Sequence, residues 1–134
     1  MEYNNIYNSK QFDSEVKEKW GYTDSYKEYK EKSQNYSKEK WHNLYEEMND
    51  IFLEFSLCLN NKEEVNSQKV QNLVQKLQNH ITQNYYKCTN DILLNLGQIY
   101  ILDERFTKNI DKYANETALY VNEAIKKYCL KTIN

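Results

Sequence analysis

Apolar residues recur at three- and four-residue steps through most of the chain. From Ser37 onward, Trp41, Leu44, Tyr45, Met48, Ile51, Phe52, Phe55, Cys58 and Leu59 follow this step, the spacing that gathers side chains on one face of a 3.6-residue helix. Ser37 is suited to cap that helix and Asn60-Asn61 to end it. After a polar stretch from Lys62 to Asn66, Ser67 can cap a second helix striped by Val70, Leu73, Val74, Leu77 and Ile81, which fades at Tyr85-Tyr86. Thr89 or Asn90 opens a third, with Ile92, Leu93, Leu94, Leu96, Ile99, Tyr100, Ile101 and Leu102. Its apolar residues cover more than one face, which predicts a central position. Asp103 stops it and caps a short helix carrying Phe106 and Ile110. Asn115 is the expected cap of a last helix whose Ala118, Val121, Ile125 and Tyr128 share a face.

The pattern predicts an all-α fold, and 134 residues suit a single domain with one core. Proline is absent and Gly21 and Gly97 are the only glycines, so helices run without breakers and turns depend on Asn, Asp, Ser and Thr caps. Gly97 lies inside an apolar helix, where glycine costs about 1 kcal/mol against alanine. Its missing side chain therefore predicts a close neighbour, a backbone or a ligand.

The segment from Gln11 to Tyr36 is different. It is charged and aromatic, with Val16 the one aliphatic residue after Ile6. Ser25 and Glu28 have capping-box spacing, and Tyr22, Tyr26 and Tyr29 follow helical steps. Little apolar surface is available to offset the entropy of ordering it. Residues 1–36 are thus expected to form a flexible helical lid that orders against a helical core of residues 37–134 or around a ligand.

Charge narrows the function classes. A formal net charge of −2 gives no basic surface to neutralise phosphates, so direct nucleic-acid or acidic-membrane contact is not expected. No secretory segment opens the chain, no run approaches the roughly 18 apolar residues of a membrane span, and three widely spaced cysteines fit reduced thiols, which together predict a cytoplasmic protein. His42 and His80 fall in different helices with no metal-ligand spacing, so neither a metal nor a cofactor is expected. Cys88 and His80 lack an oxyanion loop or an orienting third group, and the chain is not read as an enzyme. The many aromatics at helix ends, Trp20, Tyr22, Tyr26, Tyr36, Trp41, Tyr85, Tyr86, Tyr100 and Phe106, suit a flat ligand of mixed polarity.

Six segments in order carry a family resemblance: residues 15–26, 36–41, 80–81, 85–88, 96–111 and 119–125. They include Glu15-Val16-Lys17-Glu18-Lys19-Trp20-Gly21-Tyr22, Tyr36-Ser37-Lys38-Glu39-Lys40-Trp41, His80-Ile81, Tyr85-Tyr86-Lys87-Cys88, the run Leu96 to Asp111, and Leu119-Tyr120-Val121-Asn122-Glu123-Ala124-Ile125. Together they resemble the TipA-type antibiotic-recognition domain, the effector domain of thiostrepton-induced MerR-type transcription activators and of albicidin-binding relatives. The resemblance implies a single helical domain in a globin-like arrangement without haem, binding thiopeptides or similar macrocyclic and aromatic peptide antibiotics in a hydrophobic cleft.

By the same resemblance, Trp20, Asp24, Tyr26, Tyr36 and Trp41 match the lid and hinge motifs, and His80, Tyr85 and Tyr86 the cleft side. Asn95, Tyr100 and Phe106 complete the candidate ligand-binding set. Some members carry a second cysteine seven residues after the position of Cys88, able to add to a dehydroalanine of the drug. Asn95 stands there in this chain, and a carboxamide cannot replace a thiolate. Binding is expected to be non-covalent unless an exposed Cys88 takes over. Leu93 stands where many members have a histidine, giving a more apolar wall.

The family's activators place a helix-turn-helix and a coiled-coil helix before this domain, and this sequence carries neither. The expected role is therefore a regulator's effector domain, reaching DNA only through such a part, or its free drug-sequestering form. Two other classes compete: a helical interaction module receiving an amphipathic peptide or helix, and a haem sensor using His80.

Overall fold

A computed structural model describes residues 24–130. Among these residues the chain is all-α, with α1 Asp24–Ser33, α2 Lys38–Asn60, α3 Gln68–Asn84, α4 Asn90–Leu102, α5 Glu104–Asp111 and α6 Thr117–Leu130. Trp20 and the rest of the expected lid before Asp24 lie outside the described residues.

Capping sets most of these boundaries as the sequence predicts. The side chains of Ser37, Ser67, Thr89 and Asp103 accept hydrogen bonds from the backbone N–H groups of Lys40, Val70, Ile92 and Arg105, each satisfying a donor that has no partner inside its helix. α2 ends without glycine. Lys62 takes a left-handed φ of 59°, while the Lys62 and Glu63 N–H groups donate to Leu59 and Cys58 carbonyls at 3.0 and 2.9 Å, the paired bonds of a Schellman turn.

α6 corrects the expectation at Asn115. Its first turn is capped from a distance by Asp111, whose Oδ1 accepts from the Ala118 N–H at 2.8 Å. Glu116 enters the helix with φ 71°, and the Thr117 hydroxyl donates back to the Ala114 carbonyl at 2.7 Å. Thr117 is buried and also accepts from the Ser56 hydroxyl at 2.8 Å, fixing the start of α6 to the C-terminal part of α2. The long-range polar contacts were not readable from spacing.

The core lies between α2, α3, α4 and α6, with Phe55, Val70, Val74, Leu77, Leu93, Val121 and Ile125 shut off from solvent. Each such side chain contributes about 1.5–3 kcal/mol on burial. Gln71 is also buried, and its amide donates to the Val65 and Ala124 carbonyls at 2.8 and 3.2 Å, which ties α3 to α6.

α4 lies against the core on more than one face, as its composition predicts, with Ile92, Leu94, Leu96, Ile99 and Ile101 partly buried there. It packs most extensively on α6, but only Leu93, Gly97 and Tyr100 are buried, and Leu102 is 76% exposed. Gly97 does meet a close neighbour, and it is a side chain. A Cβ built there would stand 2.6 Å from Asn122 Oδ1 and 3.3 Å from Ile125 Cδ1, so α4 and α6 approach closely at this point.

Candidate functional site

α1 contributes nothing to the aliphatic interior; none of its residues is buried. It docks on the C-terminal end of α3, where a helix leaves carbonyls without intrahelical partners. The Lys32 ammonium donates to the Thr82 carbonyl at 2.6 Å, and the Tyr36 hydroxyl to that of Asn84 at 2.7 Å. α3 has no basic residue in its own last turn, so Lys32 supplies the cation that the negative end of the helix dipole favours. Glu28 completes the latch by accepting from the Lys87 N–H at 2.8 Å, and it pairs with Lys32 at 3.2 Å. The Lys87 N–H, helped by the Lys32 ammonium, outweighs the opposing effect of burial and holds the Glu28 carboxyl below its usual range. This corrects the expected capping box: Ser25 lies inside α1 and the Glu28 carboxylate is spent on Lys87.

Rings fill the junction above this latch. Tyr29 of α1 lies 6.2 Å from both Tyr26 and Tyr85 and 6.4 Å from Trp41, measured between centroids. Trp41, in the first turn of α2, meets Tyr36 edge-on at 5.2 Å and Tyr85 at 6.2 Å. His80 meets Tyr85 at 6.0 Å. These separations are those at which aromatic pairs attract. Tyr29, Tyr36, Trp41 and Tyr85 are all half-buried, so their faces are packed yet remain within reach of solvent.

His80 is the buried polar member, 8% exposed. Its Nδ1 stands 3.5 Å from Glu47 Oε1 and 3.5 Å from the Asn84 amide nitrogen, while Nε2 makes no hydrogen bond. Burial pushes its pKa below the ordinary value and outweighs the opposing pull of Glu47 and the Leu44 carbonyl, with Lys40 adding to the depression. The neutral ring presents one donor and one acceptor to whatever contacts it.

The candidate set from the sequence therefore divides. Tyr26, Tyr36, Trp41, His80 and Tyr85 come together, and half-buried Tyr86 follows directly in the loop after α3. Asp24 is exposed in the first turn of α1. Tyr100 and Phe106 belong to the interior: Tyr100 meets Phe52 edge-on at 5.6 Å and Phe106 at 5.8 Å, and both are buried. Asn95 is exposed on the side of α4 away from Leu93, Gly97 and Tyr100, and Leu93 is fully buried rather than lining an open wall. His42 is exposed.

Tyr29, the ring that touches both walls, was missing from that set. Its helical spacing from Tyr26 was visible, but its partners lie 12 and 56 positions away in sequence. The Glu28 and Lys32 pair carried an (i, i+4) signal only for a local ion pair.

Cys88 ends the same loop. It is 4% exposed, and burial, with Cys129 adding, pushes its thiol up to about 12. At neutral pH it holds almost no thiolate, the form that attacks electrophiles. Among the described residues no group of three His, Cys, Asp or Glu side chains converges to hold a metal, and no helix is long and apolar enough to cross a membrane.

Comparison with known proteins matches residues 12–128 to the TipAS antibiotic-recognition domain. The HTH-type transcriptional activator TipA of Streptomyces coelicolor is 34% identical over 115 residues, covering 86% of this chain and 46% of the relative; TipA of Streptomyces lividans gives the same values. The HTH-type transcriptional activator mta of Bacillus subtilis is 35% identical over 94 residues, covering 70% of this chain and 36% of its own length. The chain thus spans about half or less of these curated relatives. A solved structure of nosiheptide in complex with TipAS, from a thiopeptide antibiotic multidrug resistance system of Streptomyces lividans, superposes with a TM-score of 0.85 at 29% identity, covering 98% of this chain and 94% of that one.

Proposed function

The chain belongs to the TipAS antibiotic-recognition family, and from that premise we propose that it binds a thiopeptide or similar macrocyclic, aromatic peptide antibiotic at the junction of α1, α2 and the end of α3. The observation that carries this reading is the ring cluster itself. Tyr29, Tyr36, Trp41 and Tyr85 come from three elements, stand 5.2–6.4 Å apart and stay half-buried, with His80 offering a polar contact at their edge. Flat thiazole-like rings and amides match that mixture of faces and hydrogen-bonding groups.

In this reading α1 is the lid. It is held by hydrogen bonds and ring contacts rather than by aliphatic burial, so it can lift and reclose over a ligand at low cost. Residues 1–36 act as that lid and residues 37–134 as the body. Capture is non-covalent, because Asn95 offers no thiol and Cys88 is buried and protonated. The domain is a cytoplasmic binding module with no catalytic task. It serves as the effector part of a transcription regulator, reaching DNA through other parts of such a protein, or as a free drug-sequestering form.

Titration with nosiheptide, followed by tryptophan fluorescence and by mass spectrometry of the complex, tests this. The expected result is saturable quenching with no covalent adduct. Absence of binding to nosiheptide and to related thiopeptides overturns the drug-binding reading. A stable adduct on a cysteine overturns the non-covalent one.

A further inference from the structure

The loop from Tyr85 to Thr89 joins α3 to α4 and carries Tyr85, Tyr86 and the Lys87 N–H that receives the lid. Such a loop needs something to hold it at one height. Its own contacts back to α3 are the Tyr85 and Tyr86 N–H groups on the Ile81 carbonyl and the Cys88 N–H on the Thr82 hydroxyl at 3.1 Å.

Gln78 reaches it from one turn below. Its amide nitrogen donates to the Cys88 carbonyl at 2.9 Å and to Asn90 Oδ1 at 2.9 Å. Its amide oxygen accepts from the Tyr128 hydroxyl at 3.1 Å. The nitrogen side faces two acceptors and the oxygen side a hydroxyl donor, so the surroundings fix which way the amide is turned. Cys129, next to Tyr128, closes on the same point: its thiol donates to the Asn90 carbonyl at 3.5 Å.

We propose that Gln78 is a positioning residue for the ligand site: it clamps the loop that presents Tyr85, Tyr86 and Lys87, and Tyr128 of α6 holds Gln78 in place. The last helix is then linked to the lid through two neighbouring residues of the loop: Tyr128 holds Gln78, Gln78 holds the Cys88 carbonyl, and the N–H of the preceding residue, Lys87, holds Glu28. The side-chain hydrogen bonds of Gln78 go to Cys88, Asn90 and Tyr128, and through the loop they set where two of the rings assigned to the ligand stand. Its role in recognition rests on the antibiotic-binding reading, whereas its hold on the loop does not.

Amide hydrogen exchange on the ligand-free chain separates these. Gln78→Met keeps the length and removes every side-chain hydrogen bond; Tyr128→Phe removes the hydroxyl that anchors it. Gln78→Met is expected to speed exchange of the Lys87 and Cys88 amides about tenfold, as loss of local hydrogen bonds does, while the amides of Phe55 and Val121 stay as in the wild type. Glu28→Gln, by contrast, speeds Lys87 and leaves Cys88 unchanged. Tyr128→Phe shifts both loop amides by a smaller factor, and adding it to Gln78→Met changes nothing further, because it acts through the same amide.

Unchanged Lys87 and Cys88 exchange in Gln78→Met overturns the proposal, and so does full additivity of the two substitutions. Nosiheptide affinity is the second readout. Faster loop exchange with weaker binding supports the full proposal. Faster loop exchange in a chain whose wild type binds no thiopeptide leaves the clamp standing and removes the drug. Faster exchange with undiminished affinity overturns the role in recognition.

Discussion

The interior around Phe55, Leu77 and Val121 and the ring cluster at the end of α3 are held by different forces. The first is mainly aliphatic with a few enclosed rings, shut off from water and contributed by the five helices α2 to α6. The second is aromatic, half-exposed and latched by side chains on the last carbonyls of α3. The interior gains from area removed from water, which is large and non-directional. The cluster gains from a few directional contacts, each worth about 1 kcal/mol or less. The body is therefore expected to stay folded when α1 lifts, which suits the proposed role of α1 as a lid over an antibiotic.

Substitutions that tell the two regions apart follow from this contrast. Leu77→Ala leaves a cavity in the closed interior and is expected to cost about 3 kcal/mol of global stability, read as a shift of the urea midpoint. Gly97→Ala is next. Helix propensity would gain about 1 kcal/mol, but the new Cβ meets Asn122 Oδ1 at 2.6 Å and Ile125 Cδ1 at 3.3 Å, so two fully buried side chains must shift. Overpacking wins, for a net loss of about 1–2 kcal/mol in the same measurement. If Gly97→Ala stabilises, the close approach of α4 to α6 is wrong.

Trp41→Ala inverts the pattern. It is expected to move the urea midpoint by no more than about 1 kcal/mol, while loosening amide protection from Asp24 to Tyr36 and weakening nosiheptide binding at least about tenfold. A large global loss instead would merge the cluster with the core and remove the distinction.

Two pH effects are smaller. His80 is held below its ordinary 6.5, so the unfolded chain takes up that proton first. Stability is complete above about pH 6.5 and declines as pH falls through the native value. A thermal midpoint that drops between pH 7 and pH 5.5, with the drop reduced in His80→Gln, checks this. Glu28 is held below its ordinary 4.5, so its contribution is present above that pH and lost as pH falls through the lowered value. The protection factor of the Lys87 amide, which corrects for the slower intrinsic exchange at low pH, should therefore fall only under acid, before the core unfolds.

Most of the fold was legible because it follows local rules. The stripes and the caps Ser37, Ser67, Thr89 and Asp103 set the helices from α2 to α5. What failed was decided by distant partners: Asp111 capping α6 in place of Asn115, and Glu28 spent on Lys87 rather than on its own helix end. α4 was legible as a helix with several core-facing sides, though only Leu93, Gly97 and Tyr100 are buried and the rest of its apolar residues stay partly exposed or, as Leu102, exposed. For the site, the aromatic surplus and the family's segments led to Tyr36, Trp41, His80 and Tyr85. They did not lead to Tyr29 or Gln78, whose roles depend on which elements meet.

The most direct test of the central claim is hydrogen exchange of the wild-type chain with and without nosiheptide. The account predicts slowed exchange from Asp24 to Tyr36 and at the Lys87 and Cys88 amides, with the amides around Phe55 and Val121 unchanged. Saturable binding that leaves those segments untouched and protects another surface would contradict it.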